Sequence, residues 1–165
     1  MRPASGRLHI EAQDTGTALA ALGLDAAGQG LPPSSVDLVL AGREAAQAAR
    51  SLAIDGTIGG VKVETLAPAS LDAAGVAGGG RLRLSTTDAA PLLVRFGLVI
   101  GGSALPAGLD VAIERAGDGW AASGVGRFGN DPVEGTVRWD VGGRIVGASL
   151  KLPALSLPAL AGAMA

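Results

Sequence analysis

The chain contains no cysteine and no tyrosine, and its 165 residues include one histidine, two phenylalanines and two tryptophans. A disulfide scaffold and catalysis by cysteine, tyrosine or paired histidines are therefore excluded. Charged residues make up 17% of the chain, against about 25% in a typical domain. Lysine and arginine form no basic block, which argues against a nucleic acid partner. We expect no cofactor, no metal and no enzymatic activity.

Small apolar residues are abundant instead. Glycine occurs 27 times, the hydrophobic fraction is 48% and the mean hydropathy is +0.40. The longest apolar runs, residues 92–100 and 152–165, are interrupted by Arg95 and by prolines. Both are shorter than the roughly 20 residues that span a bilayer. The first residues lack the apolar core of a signal peptide, so an export signal would lie outside this chain.

An internal repeat organises the sequence. Residues 7–32 align without gaps to residues 81–106, and nine of these 26 positions are identical. Each copy starts with alternating polar and apolar residues, a pattern typical of a strand with one apolar face. Asp14 and Asp88 follow, each as the predicted N-cap of a short apolar helix that ends at Gly23 or Gly97.

The rest of each copy predicts strands. They are expected at residues 36–40, 52–58 and 61–66 in the first copy, and at 109–113, 120–128, 133–141 and 145–152 in the second. Glycine-rich turns are expected at residues 78–80, 117–119 and 142–143. The segment 42–50 favours a helix by composition, with a long hairpin loop as the alternative.

These elements predict a mainly β (α+β) fold in one domain, a curved antiparallel sheet built from two repeats of about 70 residues. Each repeat consists of a strand, a short helix and several strands. Repeat 1 covers residues 7–77, repeat 2 covers residues 81–149, and a truncated third repeat covers residues 150–165. An array that stops inside a unit predicts a fragment of a longer protein.

Three features have a structural interpretation. Residues 124–129 fit the pattern G-x-G-x-x-G, but a turn and a strand follow them where a dinucleotide site needs a helix. His9 lies on the polar side of its strand and is interpreted as a surface residue, because no second histidine or cysteine completes a metal site. Trp120 and Trp139 are interpreted as packing residues of their strands, with contact to lipid as the alternative.

The candidate functional surface is the apolar side of the predicted strands. Two or three short helices cover only part of such a sheet, so its apolar face is expected to meet another sheet, another chain or an apolar ligand. An ordinary two-layer α/β core explains the pattern as well. The candidate residues for contact with an apolar ligand are Leu82, Leu84, Leu109, Val111, Ile113, Val133, Val137, Leu150 and Leu152.

Two stretches of the sequence resemble the bacterial AsmA family. One is GGGRLRLSTTDAAPLLVRFG at residues 78–97, and the other is GRFGNDPVEGTVRWDVGG followed by LKLPALSLPAL, within residues 124–160. The resemblance covers residues 78–160 well and residues 7–66 more weakly. It implies a periplasmic protein tethered to the inner membrane by a segment absent here. In that family, repeats build a β-groove that moves phospholipids towards the outer membrane, so phospholipid acyl chains are the implied partners.

An alternative function is kept beside this one. An excised repeat exposes unpaired strand edges, and such edges recruit strands of other proteins. The chain would then be a structural or assembly module of the cell envelope that binds protein partners through the edges of its sheet. Lipid binding and edge pairing differ in what they require, an open apolar face for the first and free backbone groups for the second.

Overall fold

A computed structural model of the chain describes residues 5–17, 31–41, 50–72, 75–91 and 104–151. Strands account for 72% of these residues, so the predicted mainly β fold is confirmed. The strands are β1 (Gly6–Ala12), β2 (Ser34–Ala41), β3 (Arg50–Ile58), β4 (Val61–Ala67), β5 (Ala69–Asp72), β6 (Gly75–Gly78), β7 (Arg81–Thr86), β8 (Ala107–Ala116), β9 (Gly119–Phe128), β10 (Asp131–Trp139) and β11 (Ile145–Lys151).

All strands belong to one open antiparallel sheet. The order along it is β1-β2-β3-β4-β7-β8-β9-β10-β11, and β5 and β6 branch from β3 as a hairpin. On the side away from β2, β3 pairs with two strands: residues 50–52 pair with β5, and residues 56–58 pair with β4. The curved antiparallel sheet expected from the alternating pattern is therefore the fold of this chain.

The register repeats between β1–β4 and β7–β10. Gly56 of β3 lies between its partners on β2 and β4, and its β4 partner is Val63. Gly126 of β9 lies in the same way between β8 and β10, and its β10 partner is Val133. The pairing of β4 with β7 is also repeated by β10 with β11. The two sequence copies thus build the same four-stranded unit, and β11 begins the next one.

The predicted helix caps are confirmed. A carboxylate oxygen of Asp14 accepts the backbone N–H of Gly16 at 2.9 Å, and Asp88 accepts those of Ala90 at 3.0 Å and Leu105 at 3.1 Å. The pKa of Asp14 is lowered by the side-chain hydrogen bond from Thr17 and by backbone hydrogen bonds from Thr17 and Gly16, and that of Asp88 is lowered by the backbone hydrogen bonds from Ala90 and Leu105. The rest of both predicted helices, and residues 42–49, lie outside the described residues.

The predicted glycine turn at residues 78–80 is wrong. Gly78 ends β6, and Gly80 accepts a hydrogen bond from the N–H of Ile113 at 2.8 Å. A Cβ on Gly79 would overlap the carbonyl oxygen of Ile113. These glycines therefore allow two backbone segments to approach closely, and they do not reverse the chain. The short strands β5 and β6 were not predicted, and β10 ends at Trp139, two residues earlier than expected.

Little of the sheet is buried. Among the described hydrophobic residues, the buried ones are Val63 at 6% exposure, Val133 at 3% and Ala89 at 1%. Val63 and Val133 are equivalent residues of the two units, because they lie on the fourth strand of each unit and pair with Gly56 and Gly126. The remaining described apolar residues of the strands are half-buried or exposed, so the described sheet does not have the closed core of a two-layer domain.

Candidate functional site

One face of the sheet collects the predicted ligand-contact residues. Residues directly opposite each other in a ladder share a face, and the register joins Leu84 to Leu109 and Leu82 to Val111. The row of opposed residues that contains Leu109 runs on through Gly126 of β9 to Val133 of β10. A second row on the same face runs from Ile113 through Ala122 to Val137. The backbone of Leu150 pairs opposite Gly135, and Leu152 lies outside the described residues.

The apolar face extends into the first repeat, which the sequence-based candidate set omits. Ladder pairs carry it from Leu84 to Val63 on β4 and onward to β3, β2 and β1. The alternation that identified the second-repeat residues is present in these strands and could have found them. The added members of the face are Leu8, Ile10, Val36, Leu38, Leu40, Leu52, Ile54 and Val63.

A groove of about 540 Å³ lies on this face. It is lined from both repeats by side chains that include Leu52, Ile54, Leu82, Ile113, Trp120 and Trp139. β3 and β10 are five strand steps apart, which corresponds to about 24 Å in a flat sheet. Residues of both strands nevertheless line one groove, as expected where a sheet curves towards its apolar face.

Three adjacent strands bring Arg115, Trp120 and Trp139 into one row. Residues 117–118 form the turn between β8 and β9, which sets Arg115 opposite Trp120. Residues 129–130 form the next turn, which sets Trp120 opposite Trp139. Both tryptophans are half-buried in the groove wall, whereas Arg115 is exposed at its margin. Arg115 makes no ion pair within the described part of the chain.

The opposite face carries cross-strand ion pairs. Arg83 donates two hydrogen bonds to Asp110, at 2.7 and 2.9 Å. Asp37 accepts two from Arg7, at 3.0 and 2.8 Å, and its Oδ1 lies 3.0 Å from Nδ1 of His9. The hydrogen bonds from Arg7 and then from His9 lower the pKa of Asp37 to about 2. The sheet is therefore apolar on the groove side and charged on the other.

His9 occupies the surface position expected for it. Its Nε2 lies 3.1 Å from Glu11, and half of the side chain is exposed. In the described ranges no group of three or more histidine, aspartate or glutamate residues is arranged to hold a metal ion. The same ranges contain no helix long and apolar enough to cross a bilayer.

The G-x-G-x-x-G segment has structural roles. A Cβ on Gly126 would overlap the carbonyl oxygen of Gly108, so glycine allows close contact between β8 and β9. Gly129 has φ near +58° in the turn between β9 and β10, a conformation that favours glycine. The expected strand and turn are confirmed, and the helix that a dinucleotide site requires is replaced by β10.

Comparison of the chain with models of protein families, with curated proteins and with solved structures finds no match. What the site can bind therefore follows from its own geometry. That geometry consists of an extended apolar surface, a groove lined by two tryptophans, and an arginine at the groove margin that has no ion-pair partner among the described residues.

Proposed function

We propose that the apolar face of this sheet binds phospholipid acyl chains, as a non-enzymatic segment of an AsmA-like periplasmic protein tethered to the inner membrane. In that setting the segment takes part in phospholipid transfer between the inner and outer membranes. The observation that carries the proposal is the continuity of the apolar face through both repeats, combined with its low burial.

The proposed mechanism is passive. Each methylene group of an acyl chain that leaves water for the groove gains about 0.8 kcal/mol. Half-buried apolar side chains from neighbouring strands, among them Leu82 and Ile113, line the groove, so an acyl chain would exchange one apolar contact for another as it moves. The headgroup would remain at the open side of the sheet, in water.

Arg115 gives the groove a polar end. Its guanidinium is exposed and unpaired among the described residues, and it lies in the same row as Trp120 and Trp139. Tryptophan suits a boundary between apolar and polar surroundings, and arginine binds phosphate oxygens through paired N–H donors. In the proposed complex the acyl chain lies against the tryptophans and the phosphate lies near Arg115.

A test uses the absence of cysteine. Single variants Ile113→Cys and Glu114→Cys place one thiol on the groove face and one on the opposite face of β8. Each is labelled with a polarity-sensitive fluorophore and titrated with a short-chain phosphatidylglycerol below its micelle concentration. We expect a blue shift at position 113 and almost none at position 114. Equal shifts at both positions, or none at either, would contradict the proposal.

The alternative function, a structural or assembly module, has its own supporting observation. Among the described residues β1 is an outer strand of the sheet and pairs with β2 on one side alone, and its Leu8 and Ile10 are 56% and 44% exposed, so its outer backbone groups are available to another strand. This function predicts binding of a protein partner without dependence on lipid. Pull-down from envelope extracts before and after delipidation distinguishes the two functions, because lipid removal would leave edge pairing unchanged.

A further inference from the structure

In the part of the chain that the structure describes, β1 and β11 are the outer strands of the sheet. Within the described residues neither strand has a partner on its outer side. Residues 145–149 of β11 are exposed, including Ile145 at 66% and Val146 at 61%. Backbone donors and acceptors along such an edge are available for another strand.

The repeat register assigns β11 the place of β7. On β7, Arg83 lies opposite Glu64 of β4. On β11, Lys151 lies opposite Glu134 of β10. The neighbouring backbone pairs agree as well, because Leu82 pairs with Thr65 of β4 and Leu150 pairs with Gly135 of β10. The pairing of β11 with β10 thus repeats the pairing of β7 with β4, including a glutamate opposite a basic residue.

On the other side of β7, the neighbouring strand β8 places a second acidic residue opposite Arg83. Arg83 also faces Asp110 of β8 and donates two hydrogen bonds to it. The first repeat has the same arrangement, since His9 on β1 faces Asp37 on β2. In both units the first strand therefore carries a basic residue, His9 or Arg83, that contacts an aspartate on the second strand. Lys151 has its acid on the β10 side alone among the described residues.

We propose that the outer edge of β11 binds an antiparallel strand of the β2 and β8 type, with alternating apolar residues and an aspartate opposite Lys151. The apolar residues of this strand would extend the groove face by one strand. Its aspartate would form a cross-strand ion pair with Lys151 on the opposite face, as Asp110 does with Arg83. Opposite charges placed directly across an antiparallel ladder stabilise the pair, and like charges destabilise it. The proposal does not depend on lipid binding.

A second copy of the chain stacked head to tail does not supply such a strand. Eight antiparallel steps separate β1 from β11, so the two run in the same direction. Joining β11 of one copy to β1 of the next would make a parallel pair. It would also place two strands of the β1 type side by side, with the basic residues Lys151 and His9 at equivalent positions and no aspartate between them. The position of Lys151 favours a strand of the β2 and β8 type, which brings an aspartate. Pairing between two copies of the chain is one of the outcomes that the test distinguishes.

The probe is a blocked, fluorescent peptide with the sequence of residues 104–116, which contains β8 and Asp110. Binding to the 165-residue chain is measured by fluorescence anisotropy, and the site is located by amide shifts in ¹⁵N spectra. We expect changes concentrated in β11 and an affinity about three- to ten-fold higher than that of the Asp110→Lys peptide. Lys151→Glu in the chain should reverse this preference.

The charge exchange supplies the control. Lys151 is exposed, so Lys151→Glu should leave the circular dichroism spectrum unchanged and separate a loss of pairing from a loss of folding. Binding of both peptides with equal affinity to both chains would overturn the proposal, as would shifts confined to β1 or no binding at all. Concentration-dependent shifts of β11 without peptide would also overturn it, because they would identify a second copy as the occupant.

Discussion

β1 and β7 are equivalent strands of two repeats, but their apolar side chains differ in exposure. Leu8 and Ile10 on β1 are exposed, whereas Leu82 and Leu84 on β7 are half-buried. β7 is flanked by β4 and β8, and β1 has a neighbour in β2 alone among the described strands. Burial on this sheet is therefore determined by the adjacent strand as well as by residue type, because no second layer covers the described face completely.

The charged face shows a second difference between the repeats. Asp110 accepts both of its side-chain hydrogen bonds from Arg83, whereas Asp37 receives them from Arg7 and His9. Arginine stays charged at any physiological pH, but histidine changes its charge near neutrality. Both units keep a cross-strand pair of a basic residue and an aspartate, and in the first unit one of the two partners of the aspartate, His9, is a group whose charge depends on pH.

The largest expected effect tests whether the two units pack alike. A Cβ at Gly56 would overlap the carbonyl oxygen of Ser35, and a Cβ at Gly126 would overlap that of Gly108. Backbone atoms cannot move aside as a flexible side chain can, so Gly56→Ala and Gly126→Ala should each lower the free energy of unfolding by about 3 kcal/mol. Urea denaturation followed by circular dichroism measures this.

Gly147→Ala is the matched control, because nothing lies within 4 Å of the position that its Cβ would occupy. It should change the free energy of unfolding by less than about 0.5 kcal/mol. A large effect at Gly126 without one at Gly56 would show that the close contact between second and third strands is a property of one repeat and not of both.

A smaller effect is expected at the two buried valines. Val63→Ala and Val133→Ala each remove two methyl groups from equivalent sites of low exposure, and each should cost about 2 kcal/mol of unfolding free energy. Val125→Ala, at a site that is 59% exposed on the other face of β9, should cost less than about 0.5 kcal/mol. Equal costs at all three sites would contradict the assignment of Val63 and Val133 to the core.

Much of the second repeat could be predicted because its signals are local. The turn at residues 117–118 fixes the register of β8 on β9, and the turn at residues 129–130 fixes that of β9 on β10. Together they place Trp120 opposite Trp139, an apposition that follows from counting residues back from the two turns. Alternation along the strands then assigns Val111 and Val137 to one face.

Other parts of the fold depend on contacts that no local pattern encodes. β4 and β7 pair although the hairpin of β5 and β6 separates them in sequence. The partner of β3 changes from β5 to β4 within the length of β3. The four-residue strands β5 and β6 are too short for alternation to identify. Gly79 belongs to the same group, because its importance comes from the carbonyl of Ile113, more than 30 residues away.

The smallest effect expected from the comparison concerns pH. Hydrogen bonds to Glu11 and then to Asp37 raise the pKa of His9 above its usual value of 6.5. A raised pKa means that the stabilising effect is complete below pH 6.5 and is lost as the pH rises through the folded-state value. Pairing of β1 with β2 should therefore weaken from mildly acidic to alkaline pH. Exchange protection of the β1 amides, corrected for the intrinsic rate at each pH, measures this.

β7 supplies the internal control, because Asp110 raises the pKa of Arg83, which remains charged throughout. Protection of β7 should stay constant over the same range, and His9→Gln should make β1 equally insensitive. The single histidine also permits a direct titration by NMR, in which Asp37→Asn should lower the pKa of His9. An unchanged pKa in that variant would show that Asp37 does not hold the imidazolium, and the pH sensitivity that distinguishes the first repeat from the second would then need another source.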